Sequence, residues 1–186
     1  MWGRAARSSQ RGWRNDFDLR RGTRKILRQL DIQPPLDVFD LCDRLGELRE
    51  KPIRLVDYPL PAPGVFGFWL EGDSADYIIY QRDTTIVHQD HIILHEVGHI
   101  ISGHGGNSDD IPNMAALLNR LPADTLRSGM RREGYDQVIE QEAEMVATVI
   151  KEWSTLLDRL EYRRSERRSL YARRVDGAFD DHQGWL

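Results

Sequence analysis

Apolar positions recur at helical spacing in the first third of the chain. Leu19, Ile26, Leu27 and Leu30 share one side of a helix predicted over residues 19–30. Pro34-Pro35 stops that helix and opens a second, in which Val38, Leu41, Cys42 and Leu45 repeat the spacing and Gly46 suits a C-terminal cap. Cys42 sits within this stripe, which makes it a small buried filler rather than a nucleophile. After Pro52 the texture changes. Residues 53–57 read as a short strand, and residues 58–64, with three prolines, as an extended connector. Residues 65–70 and 76–80 are rich in β-branched and aromatic side chains, and the turn Glu71-Gly72-Asp73-Ser74 between them predicts a hairpin.

The rest is helical in pattern. Asp83 and Thr84 are N-cap candidates for a helix running to about Ser102 and closed by Gly103. Residues 105–110 read as a loop, and residues 114–121 as a short helix stopped by Pro122. A long helix is predicted over residues 135–160, with Val138, Met145, Val149, Trp153, Leu156 and Leu160 as its apolar stripe; an Arg-rich helix follows to about residue 174. Together these elements predict an α+β fold, mostly helical, with a small three-stranded sheet packed beside the helix that ends at Ser102.

A length of 186 residues suits one domain with tails: a basic disordered leader over 1–18, a domain over 19–160, and an Arg-rich helix and tail over 161–186. The single cysteine excludes an internal disulfide and a cysteine-built zinc finger. No run of apolar residues is long enough to span a membrane or act as a secretory segment, so a soluble, cytoplasmic protein without a membrane partner is expected. Charge is uneven. Residues 1–28 hold nine Lys/Arg against Asp16 and Asp18, and residues 159–174 hold seven Arg against two Glu, leaving an acidic body between basic ends. No helix-turn-helix or zinc-finger signature accompanies the basic ends, so direct nucleic-acid binding is not expected.

The chemistry concentrates in His95-Glu96-Val97-Gly98-His99. Two histidines four apart project from one helical face, close enough to share one zinc ion. Glu96, the next residue after the first histidine, can reach an activated water as general base. At this chain's own His and Glu frequencies the expected chance count of HExxH is about 0.01, so the motif is informative. Gly98 between the histidines permits close approach of another helix. The third ligand has several sources. The position a metzincin would use is Gly105, which cannot ligate, and His104 beside it reads as a loop histidine. His88 and His91 extend the histidine face without a base suitably placed between them. Better placed is Glu140-Gln141-Glu142-Ala143-Glu144-Met145-Val146-Ala147, where Glu140, Glu144 and Ala147 share a helix face and small alanines allow it to lie near the metal helix.

An HExxH helix followed some 40 residues later by Glu-x-x-Ala-Glu resembles the glutamate-type zincins. Within them, residues 20–155 resemble the ImmA/IrrE family of metallopeptidases: two leading helices, Gly64-Val65-Phe66-Gly67, the strand 77–80, and the two site helices in that order. The resemblance implies a zincin-like fold and a zinc-dependent endopeptidase whose protein partner is a DNA-binding transcriptional repressor or an antitoxin. It implies His95 and His99 as zinc ligands, Glu96 as general base and Glu140 as third ligand. Glu144 would then hydrogen-bond a ligating histidine, although Asp or Asn is commoner at that place and Glu144 could compete with Glu140 for the metal. Glu142 reads as a solvated helix charge. Tyr135 is the candidate to stabilise an oxyanion, and the strand 77–80 could offer its edge to an extended substrate. A different class is also open: a metal-stabilised binding module, or toxin-like component, that sequesters a regulatory partner without cutting it.

Overall fold

The computed structural model describes residues 16–61, 63–105 and 137–180, with side chains to residue 166. The expected loop at 106–110, the short helix at 114–121, the leader before residue 16, Tyr135 and the final tail lie outside the described residues. The elements run α1 (Asp16–Leu30), α2 (Val38–Arg49), β1 (Ile53–Tyr58), β2 (Gly67–Glu71), β3 (Asp76–Gln81), α3 (Ile86–Ser102) and α4 (Gln137–Asp180). The fold is α+β, mostly helical, with a three-stranded mixed sheet of strand order β1-β3-β2 among the described residues. β2 and β3 form the expected antiparallel hairpin, with Trp69 opposite Ile78, and β1 lies parallel to β3, with Leu55 opposite Ile78. β3 is therefore the central strand. Both its edges are occupied, so the expectation that residues 77–80 offer an edge to a substrate does not hold; β2 and β1 are the outer strands.

Both faces of the sheet are covered. Ile78, Tyr80 and Trp69 join the core built with α1, α2, α3 and α4, around Leu27, Leu41, Leu45, Ile93, Val97 and Ile150. On the opposite face Tyr77, Ile79, Phe68 and Leu70 gather with Leu60 from the connector. The connector is pinned there by Gln81, whose side-chain amide donates to the Leu60 carbonyl (2.8 Å) and whose oxygen accepts from the Leu60 N–H (3.2 Å). Cys42 is buried in the helical core, and its thiol is pushed up to about 12, chiefly by burial. The fully buried Asp76 carboxylate pairs with Arg49 and with Lys51, each at 2.7 Å, tying the end of α2 to the start of β3.

Several boundaries differ from those read in the sequence. α1 begins at Asp16, so the helix takes in the end of the expected leader. Asp37 caps α2 by accepting from the Phe39 and Asp40 N–H groups, and its other end closes at Glu50 in the left-handed region (φ 57°), not at Gly46. Gly46 is instead a packing position: a Cβ there would meet main-chain atoms of Lys51, Pro52 and Ile53 at 3.1–3.2 Å. The cap of α3 is Thr85, which accepts from His88 N–H, rather than Asp83 or Thr84. α4 is one continuous helix where two were expected. Its buried face takes in only part of the expected stripe. Ala143, Val146, Ala147, Val149 and Ile150 are buried, whereas Val138, Leu156 and Leu160 are more than half exposed. Of the expected stripe, Val149 is buried and Met145 and Trp153 pack partly buried against the core. Among the described residues, no helix is long and apolar enough to cross a membrane.

Candidate metal centre

α3 and α4 meet at Gly98. A Cβ at that position would stand 2.4 Å from the Ala143 carbonyl oxygen, so the two backbones touch there and only glycine fits. This contact sets the spacing of everything around it. His95 and His99 lie about one turn apart on α3, flanking Gly98, and Glu140 lies one turn before Ala143 on α4. Their ligand atoms all fall within 4.8 Å of one another, a group that could hold a metal ion. His95 Nε2 is 3.2 Å from His99 Nε2 and 3.2 Å from Glu140 Oε2, and His99 Nε2 is 3.7 Å from Glu140 Oε1. Tetrahedral donors held at about 2.0–2.1 Å from zinc stand roughly 3.3–3.4 Å apart, so three corners of such a site fit these residues.

The other nitrogen of each histidine is also occupied. His95 Nδ1 lies 3.4 Å from Glu144 Oε2, so a proton on Nδ1 would leave Nε2 bare toward the group. His99 Nδ1 lies 3.0 Å from His104 Nδ1, and His104 Nε2 lies 3.0 Å from Glu142 Oε2. His99 is held neutral, its pKa lowered to about 3 by burial and then by His95 and His104.

Glu96 is buried beside the group, next to Gly67, where a Cβ would come 3.6 Å from its Oε1. Burial, and then the negative charge of Glu140, raises its carboxyl to about 8, opposed by a hydrogen bond from the Trp69 backbone N–H. β2 thus anchors the carboxylate while α3 supplies it.

Comparison of the chain with protein-family profiles, with curated proteins and with solved structures finds no match.

The structure brings together His95, His99, Glu96, Glu140 and Glu144, whereas Tyr135 lies outside the described residues. His88 turns away, with Nδ1 2.9 Å from Thr84 Oγ1 and its ring against Phe66. His91 lies 2.8 Å from Lys151 Nζ, and its pKa is lowered by burial and by that cation. Among the described residues no second metal-ligating group forms. His104 is no fourth ligand, because it approaches the far nitrogen of His99. Glu142 corrects the expectation of a solvated charge: its side chain is 17% exposed and engages His104. A signal for this contact exists in the sequence. Gly103 ends α3 in the left-handed region (φ 74°), and such a cap folds the next residue back over the last turn, where His104 N–H donates to the His99 carbonyl.

Proposed function

We propose that this chain is a zinc-dependent endopeptidase with a zincin-like pairing of an HExxH helix and a glutamate helix, acting on a peptide bond in a protein partner. One observation carries the reading: three ligand atoms converge at near-tetrahedral spacing beside a buried carboxylate, Glu96, that is not one of them. A purely structural site closes its fourth position and has no use for such a base. The identity of the partner, a DNA-binding repressor or an antitoxin, rests on the resemblance to the ImmA/IrrE family alone.

His95, His99 and Glu140 would hold the ion, and bound zinc would supply a Lewis acid that activates a water and polarises the scissile carbonyl. The remaining work belongs to the chain. Glu96 accepts the proton of the attacking water and returns it to the departing amine. In the metal-free protein burial and Glu140 raise its carboxyl to about 8, and a cation held beside it would favour the ionised form that a base needs. The Trp69 N–H fixes the carboxylate against β2, so that it need not reorganise during transfer.

Two measurements test the reading. Plasma mass spectrometry should find about one zinc per wild-type chain and sharply less in Glu140→Ala after identical purification. A peptide library should be cleaved by the zinc-loaded wild type and left intact by Glu96→Gln carrying the same zinc. Stoichiometric zinc with no Glu96-dependent cleavage of any peptide would replace this reading with the metal-stabilised binding module.

A further inference from the structure

His99 can face the metal group through Nε2 only if its proton sits on Nδ1, and something must hold it there. Nδ1 faces another histidine nitrogen, His104 Nδ1, at 3.0 Å, so in the neutral pair one nitrogen donates and the other accepts. The far side of His104 decides which. Its Nε2 lies 3.0 Å from the Glu142 carboxylate, an acceptor only, so Nε2 must carry the proton of a neutral His104. His104 Nδ1 is then bare and accepts, and His99 donates through Nδ1. Reversing the chain would point a bare Nε2 at a carboxylate and place a proton on His99 Nε2 against His95.

We propose that Glu142 and His104 form a positioning relay that fixes the tautomer and ring orientation of His99 from behind the metal group. The inference rests on the zinc-site reading above. The two ligating histidines are supported unequally. Behind His99 the relay is short and enclosed, with side-chain exposures of 9% for His104 and 17% for Glu142. Behind His95, Glu144 is longer at 3.4 Å and 52% exposed, where water competes for the same bond. Zinc affinity should therefore depend more on Glu142 than on Glu144, although Glu142 touches neither ligand.

Two readouts test the relay. In the metal-free wild type, long-range proton–nitrogen correlation at pH 7.5 should show His99 protonated on Nδ1 and His104 on Nε2. Zinc competition against a chromophoric chelator should then show roughly 10- to 100-fold weaker binding in His104→Ala and Glu142→Ala. Glu144→Ala should lose less than Glu142→Ala. His104→Asn, whose side-chain oxygen can accept in place of Nδ1, should recover part of the loss, which a merely packing role would not produce. His104 protonated on Nδ1, or His104→Ala binding zinc within about twofold of wild type, would overturn the relay. A wild type that takes up no zinc would instead defeat the metal-site reading, while the tautomer measurement, made without metal, still judges the relay.

Discussion

The contact at Gly98 can be tested without touching a ligand. In Gly98→Ala the new Cβ would stand 2.4 Å from the Ala143 oxygen and 2.9 Å from its carbonyl carbon and Cα. Ordinary contacts begin near 3.5 Å, so α3 and α4 must separate locally by about 1 Å. Overpacking of this kind costs about 1–3 kcal/mol, offset by about 1 kcal/mol from the better helix propensity of alanine. Because the clash is with main-chain atoms the cost sits at the upper end of that range, so the net loss should be about 2 kcal/mol, a fall of roughly 4–8 °C in melting temperature for a domain of this size. Zinc binding should suffer more than stability does, because Glu140 rides on the displaced helix while His95 and His99 stay on the other. A loss of at least about tenfold in zinc affinity is expected, read by chelator competition. The clash is with main-chain atoms, so trimming the facing side chain in Gly98→Ala/Ala143→Gly should not restore binding. Wild-type affinity together with an unchanged or higher melting temperature in Gly98→Ala would refute the idea that these backbones touch.

Three further perturbations probe other parts of the structure. The folded-state pKa of Glu96 is raised from 4.5 to about 8, so its contribution to stability is full below about pH 4.5 and is lost as pH rises toward 8. Urea midpoints of the metal-free protein in chelator should match between wild type and Glu96→Gln at pH 4.5. At pH 8 they should favour the variant by a few kcal/mol, and an equal gap at both would show that the carboxyl is not desolvated. Asp76→Ala leaves Arg49 and Lys51 without their shared partner and should cost about 3 kcal/mol in denaturant unfolding; a change under about 1 kcal/mol would demote that pair to a surface interaction. Thr85→Ala should lower stability by about 1 kcal/mol, whereas Asp83→Ala should leave it nearly unchanged; the opposite ranking in thermal melts would move the cap.

Those features that depend on near neighbours were legible in the sequence. The two histidines lie about one turn apart because a four-residue spacing dictates it on any helix, and the role of Gly98 followed from its place between them. The β2–β3 hairpin was legible from its turn. What escaped depends on distant partners. β1 pairs in parallel with β3 across the whole hairpin, and nothing local to residues 76–81 signals that both of its edges are taken. Gly46 looks like a cap because glycine ends helices, yet it is needed where the chain folds back on α2. Half of the expected apolar stripe of α4 packs on the core, through Met145, Val149 and Trp153, and the small Ala143 and Ala147 mark the close approach to α3. Val138, Leu156 and Leu160 stay more than half exposed, because an apolar period does not say how far along the helix its partners extend. Glu142 escaped for the same kind of reason, since its partner His104 lies on another element, 38 positions away.

The meeting of α3 and α4 also bears on the behaviour of the chain before any substrate arrives. His99 and Glu140 are separated by about 40 residues of sequence, and one ion bridging them would hold those distant segments together for as long as the chain stays folded. An ion bound by the folded chain and not by the unfolded one would stabilise the fold by mass action, by about 2.7 kcal/mol at a hundred times its dissociation constant. A chain with one cysteine has no disulfide with which to do this. Metal supply would then govern what fraction of the chain is folded as well as what it can do, and chelation would loosen the hold of one helix on the other.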